Sequence, residues 1–216
     1  MGLERLGYAP TAGQLAQLDR FLREIDLWNP RLKLVAAAGA ELIVRHVLDS
    51  LAGPPAIRRL HGSRWPSRGR ITDLGSGAGF PGIPIAIMEP DTRVDLVERS
   101  ARRAGFLRNA IAAVGLPNAG VHECPLEGYG EAADLAVYRA LGPLTPQLLG
   151  SMRRIVGDGG LIAAYKGRRA RIESELEELR RAGVERGFTP WIVPVDVPFL
   201  DEERHLLLIA RHATAA

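Results

Sequence analysis

Cysteine is almost absent from this chain of 216 residues: Cys124 is the sole one. That excludes an internal disulfide and a cysteine-rich zinc site, and the simplest expectation for Cys124 is a small buried apolar residue. The five histidines show no metal-ligand spacing, so no metal is expected. No stretch reaches the roughly 18 uncharged apolar residues that a membrane span needs. The opening MGLERLGYAP lacks a secretory apolar core, and Leu6 breaks the myristoylation pattern, so a cytoplasmic protein is expected. Lysine is nearly missing as well. It occurs only at Lys33 and Lys166, so arginine supplies 26 of the 28 basic residues.

What is present is ordinary in amount and uneven in placement. The chain is 46% apolar and 25% charged, enough for one medium domain with a sizeable core. The net charge of +3 excludes a strongly basic protein. Basic residues nevertheless cluster at Arg58 to Arg70, Arg99 to Arg108 and Lys166 to Arg171. Arginine clusters suit phosphate contact, although a solvated arginine-rich surface would read the same way.

Two textures divide the chain. Leu15, Leu18, Phe21, Leu22 and Ile25 have helical spacing, interrupted by NPRLK. A second helix is expected from Gly39 through Leu51, ended by GPP, with a connection to about residue 70. Residues 1–60 thus read as an N-terminal helical extension, and 61–216 as the main domain. From residue 70 short apolar strands alternate with helices: RITDLG, GIPIAIMEP, RVDLVER, SARRAGFLRNAIAAVGL, AGVHEC, ADLAVYRA, PLTPQLLGSMRRIV, GGLIAAYKG and ARIESELEELRRAGVERG. Ser100 and Gly115 are expected to cap the helix between them. TPWIVPVDVP and ERHLLLIARH then follow without a helix between them, which predicts an antiparallel pair. The pattern predicts an α/β fold, a mostly parallel sheet with helices on both faces and a C-terminal hairpin. By analogy of fold, that is the Rossmann-like class I arrangement of S-adenosylmethionine-dependent methyltransferases, with seven strands.

DLGSGAGFPGIP lies between the first such strand and its helix, where a doubly wound sheet holds nucleotides. It contains Gly-x-Gly-x-x-Gly at Gly77, Gly79 and Gly82. A dinucleotide pyrophosphate wants free backbone N–H groups and no nearby anion. Pro81 and Pro84 remove two donors, and Asp73 adds a negative charge. S-adenosylmethionine has no phosphate and carries a sulfonium and an ammonium, so Asp73 favours it over NAD. Gly75, Gly77 and Gly79 allow close backbone approach to a ligand. Glu98, at the end of the next strand, suits the two ribose hydroxyls, a role found for NAD as well.

DLGSGAGFPGIPIAI, with WNPRLKL and RHVLDSLA before it and YRA, YKG and ERHLLLIAR after it, resembles the glucose-inhibited division protein B family. These enzymes make 7-methylguanosine in 16S ribosomal RNA, and the resemblance runs from about residue 12 to 212. It implies a bacterial cytoplasmic methyltransferase that uses S-adenosylmethionine on 16S rRNA or the 30S subunit. It implies cofactor contacts at Gly75, Phe80, Leu126, Glu127 and Arg139, beside Asp73, Gly77, Gly79 and Glu98. Two departures stand out: Lys33-Leu34-Val35 replaces the family's Asn-Leu-Thr, and Pro125 replaces an arginine. Arg139 is expected to meet either the methionine carboxylate or guanine O6. Arg102, Arg103, Lys166, Arg168 and Arg169 are expected to meet RNA. His46 and Asp49, one helical turn apart, either pair near the mouth of the site or form an ordinary surface pair. Phe106, Leu107, Trp28 and Trp191 read as packing residues. No general base is expected for a guanine N7 target, and the chain is expected to act as a monomer. The alternatives are an NAD-dependent oxidoreductase, a non-catalytic RNA-binding or ribosome-assembly protein, and a methyltransferase for another RNA or a small molecule.

Overall fold

The structure is a computed structural model that describes residues 1–62, 65–184 and 188–211. Arg64, the end of the last expected helix at 185–187 and His212 lie outside the described residues.

The N-terminal part is helical: α1 (Gly2–Arg5), α2 (Ala12–Leu32), α3 (Gly39–Leu42), a π-helical segment (Ile43–Leu48) and α4 (Asp49–His61). Thr11 starts α2 with a reciprocal capping box to Gln14. The helix runs through Pro30, beyond the expected interruption, and stops where Lys33 turns left-handed at φ 51. Asn29 then fixes the exit, exchanging two hydrogen bonds with the backbone of Val35 at 2.9 and 3.0 Å.

GPP does not end a helix as expected. Pro54 and Pro55 lie inside α4, which continues to His61. Each proline lacks an N–H and so frees the carbonyl four residues earlier. The Ser50 carbonyl instead accepts from the Tyr165 hydroxyl at 2.8 Å, and the Leu51 carbonyl from the Tyr8 hydroxyl at 3.0 Å. Gly53 makes room for this, since a Cβ there would overlap the Tyr165 hydroxyl.

The remaining elements alternate: β1 (Arg70–Leu74), α5 (Gly82–Met88), β2 (Arg93–Val97), α6 (Ala101–Val114), β3 (Ala119–His122), β4 (Ala133–Arg139), α7 (Pro146–Ile155), β5 (Val156–Lys166), α8 (Arg169–Arg181), β6 (Phe188–Pro194) and β7 (His205–Arg211). A single turn of 3-10 helix, Leu126–Gly128, stands between β3 and β4. The seven strands form one sheet in the order β3-β2-β1-β4-β5-β7-β6. The first five are parallel, and β7 runs antiparallel to both β5 and β6. The expected α/β sheet and C-terminal hairpin are both present.

Alternating strand residues build the two core layers. Ile71, Leu96, Val137 and Ala163 face α2, α4, α5 and α6 through Phe21, Ile57, Ile85 and Phe106. Leu74, Val97, Tyr138 and Ala164 face α7 and α8 through Met152 and Leu179. Trp191 departs from its expected packing role: it sits on the edge strand β6, 37% exposed, against the His61 ring. Cys124 is half-buried rather than fully enclosed.

Candidate active site

Parallel strands end together, so the loops after β1, β2, β4 and β5 share one edge of the sheet. The turn after β1 is built on left-handed glycines: Gly75, Gly77 and Gly79 have φ of 70, 54 and 87°. A Cβ on Gly75 would lie 2.5 Å from Leu141 Cδ1, so the loop after β4 closes tightly over this turn. Beneath it, Asp73 is completely buried. Its Oδ2 accepts from the Gly82 N–H at 2.9 Å, while Oδ1 has no hydrogen-bond partner among the described residues. Burial pushes its carboxyl up to about 7, against the opposing pulls of the Gly82 N–H and Arg139.

Glu98 closes the other side of the turn. Its Oε2 accepts from the Gly77 N–H at 3.0 Å and its Oε1 from the Ser100 N–H at 2.8 Å. Each oxygen keeps a further lone pair for a ligand hydroxyl. Ser100 is the N-cap of α6, yet its side chain makes no cap bond; the helix start is tied instead through Glu98. Gly115 ends α6 in the left-handed conformation, as expected.

These groups suit S-adenosylmethionine. The turn admits no side chain at Gly75 without displacing Leu141, it lies between two buried carboxylates, and a buried carboxylate oxygen lacks a partner. A pyrophosphate would meet like charge from Asp73 and Glu98.

Phe80 is 4% exposed and is a wall rather than an open surface. Its ring packs 5.1 Å from that of Phe21 and 5.0 Å from that of His46, with the Arg139 guanidinium 5.3 Å from its centre. Leu126 and Glu127 lie in the 3-10 turn after β3. Leu126 packs on the α7 side of the core, and Glu127 accepts from the Ser151 hydroxyl at 3.2 Å.

Arg139 ends β4 and gathers the N-terminal helices. It donates to Asp49 Oδ2 at 2.7 Å and to the Arg45 carbonyl at 3.1 Å, and its Nη2 lies 2.7 Å from His46 Nδ1. His46 and Asp49 therefore meet through Arg139, not as a direct pair. Burial and the neighbouring arginines lower the His46 imidazole to about 4, so it is neutral near pH 7 and its Nδ1 can accept.

Beside Arg139 opens a cleft of about 590 Å³, lined also by Tyr165, Lys166, Arg171, Arg204 and His205. It adjoins the glycine turn without including it. Lys166 belongs to its wall: it pairs with Glu175 at 2.7 Å and reaches the Gly142 carbonyl at 3.2 Å. Arg102, Arg103, Arg168 and Arg169 are exposed at the starts of α6 and α8, on two sides of this edge. Arg102 donates to the Arg31 carbonyl at 3.2 Å, and Arg169 pairs with Glu173 at 2.8 Å. Sequence reasoning missed Arg204, which donates to Asp49 Oδ1 at 3.1 Å. It stands within the recognised ERHLLLIAR segment, but no local pattern joins it to Asp49, 155 residues earlier.

Residues 14–206 match the family model described as rRNA small subunit methyltransferase G. A ribosomal RNA small subunit methyltransferase G of Cupriavidus necator is 35% identical, over 99% of this chain and 94% of that protein. Its namesake in Treponema pallidum is 37% identical, over 96% and 90% of the two chains. Among solved structures, Aeropyrum pernix fibrillarin with natively bound S-adenosyl-L-methionine matches with a TM-score of 0.51 and 16% identity, over 67% and 68% of the two chains. That likeness concerns the fold alone.

Proposed function

Because this chain belongs to the rRNA small subunit methyltransferase G family, we propose that it methylates N7 of a guanine in small-subunit 16S rRNA, using S-adenosylmethionine. The observation that carries the reading is Arg139. It lines the cleft walled by arginine and lysine and stands over the ring of Phe80, which follows the glycine turn between the two buried carboxylates. When bound, S-adenosylmethionine supplies an electrophilic methyl group.

The chain's own residues then bind and orient. Gly75, Gly77 and Gly79 let the backbone approach the methionine portion, Asp73 sets a negative field under the turn, and Glu98 presents acceptors to the ribose hydroxyls. Phe80, Leu126 and Glu127 are the further cofactor contacts in this reading. Arg139 faces the methionine carboxylate or guanine O6. Guanine N7 already carries a lone pair, so no proton has to be removed before attack. His46, neutral and turned to Arg139, fits a site that works by positioning and electrostatics.

Arg102, Arg103, Arg168 and Arg169 would hold RNA phosphates on both sides of the edge, with Lys166 contributing from the cleft wall. Base entry requires a nucleotide that is unstacked, in 16S rRNA or a 30S subunit. In this reading residues 1–60 form a helical extension that supplies one wall of the cleft, and 61–216 form the methyltransferase domain, acting as a monomer in the cytoplasm. No helix among the described residues is long and apolar enough to cross a membrane.

Two measurements test the proposal. Calorimetry should show binding of S-adenosylmethionine and none of NAD; the reverse would reject the cofactor. Labelled methyl groups should enter small subunits taken from cells that lack this activity. Label confined to large subunits would reject the substrate.

A further inference from the structure

We propose that Asp49 is a positioning residue that ties Arg139 to Arg204, so that the RNA side of the cleft and the cofactor side are held as one unit. The proposal rests on the reading of Arg139 as a cofactor or guanine contact.

The Asp49 side chain is only 6% exposed, and its two oxygens serve different guanidinium groups. Oδ2 takes Arg139 Nη1 at 2.7 Å, and Oδ1 takes Arg204 Nε at 3.1 Å. The three residues come from the start of α4, the end of β4 and the residue before β7. One carboxylate thus joins the N-terminal helices, the parallel strands and the C-terminal hairpin.

Local geometry supports the assignment. All three acceptors around Arg139 belong to residues 45–49: the Arg45 carbonyl, His46 Nδ1 and the Asp49 carboxylate. They sit where the helix passes from π to α form, a distortion often found at functional sites. Charge supports it too. Arg45, Arg139 and Arg204 crowd this corner; Glu202 accepts from Arg45 at 2.6 Å and from Arg204 at 3.0 Å, and Glu41 pairs with Arg45 at 2.6 Å, which leaves Asp49 as the acid that Arg139 and Arg204 share. Asp49 therefore separates two like charges that would otherwise repel and splay. An anion drawn to Arg204, such as an RNA phosphate, competes for the guanidinium held by the same carboxylate that fixes Arg139.

The test uses S-adenosylmethionine alone, titrated by calorimetry in the absence of RNA. Asp49→Asn, which keeps the shape and removes the charge, should weaken binding roughly tenfold. Arg204→Gln, which changes a residue outside the glycine turn, should weaken it about threefold. The double variant should bind no worse than Asp49→Asn, because both changes cut one linkage. With subunits as substrate, Asp49→Asn should raise KM for cofactor and for subunit together. Melting temperatures identify any variant that fails to fold. Should Asp49→Asn be one, Arg204→Gln carries the same test. Unchanged affinity in both single variants, or strictly additive losses, would overturn the coupling. A wild-type chain that binds the cofactor but methylates no ribosomal RNA would reject the substrate reading and leave the coupling measurable.

Discussion

Gly75 has φ +70° and faces Leu141, so a side chain there meets strain and a steric barrier together. Gly75→Asp should abolish methyl transfer, and Gly75→Ala should weaken cofactor binding at least tenfold, read by calorimetry. Asp73 makes a different prediction. Its carboxyl is raised from an ordinary 3.8 to about 7, so its proton favours the native state. The stability it contributes is complete below about pH 4 and is lost as pH rises through about 7. A cationic ligand reverses that preference by favouring the carboxylate. Affinity for S-adenosylmethionine should therefore rise between about pH 6 and about pH 8 with release of a proton, and Asp73→Asn should flatten the change. Asp73→Ala should abolish turnover while the protein stays folded. His46 has the opposite sign. Its imidazole is depressed from 6.5 to about 4, so its contribution is full above pH 6.5 and is lost as pH falls through about 4. At this scale the glycine turn was legible because left-handed glycines, prolines and an adjacent acid are local features. The pairing of Lys166 with Glu175 was not, because the two are nine residues apart across a turn and their meeting depends on how α8 packs.

At the scale of elements, the unexpected continuity of α4 through GPP has a definite cause. Two tyrosine hydroxyls, from Tyr8 and Tyr165, recap the carbonyls that Pro54 and Pro55 leave free. These partners lie 43 and 115 residues from the carbonyls they serve, so a reading of neighbouring residues ends the helix at GPP. Tyr165→Phe should cost about 1–3 kcal/mol in denaturant unfolding, because a buried carbonyl loses its donor. In a Pro54→Ala background that cost should shrink, since residue 54 regains an N–H for the Ser50 carbonyl. An equal cost in both backgrounds would disprove this explanation. The strands, by contrast, were legible from short apolar runs bounded by glycine and proline. Trp191 shows the limit of that reading: an apolar residue in a strand is buried only if another element covers it, and β6 is the sheet edge.

At the scale of the whole molecule, the parallel strands put the starts of α6 and α8, each carrying exposed arginines, at the edge of the sheet where the cleft beside Arg139 also opens. The alternation of strands and helices made that edge readable in advance. For residues 45–49 the sequence offered a place near the mouth of the site as one of two readings for His46 and Asp49; their meeting through Arg139 was not legible, because it joins residues 90 and 93 positions apart. RNA affinity should fall steeply with salt as phosphate contacts release counterions. Arg102→Ala with Arg103→Ala should reduce the slope of log affinity against log salt by about 1.4 if both touch phosphate on single-stranded RNA. The proposed reaction delivers the methyl group to N7 of a guanine in the small subunit. An N7-methylated guanosine can be opened by borohydride reduction, after which aniline cleaves the RNA at that nucleotide. 16S rRNA from small subunits of cells lacking the activity, treated with this protein and S-adenosylmethionine, should acquire one new aniline-sensitive guanosine. Methyl incorporation with no new cleavage site would exclude guanine N7 as the acceptor.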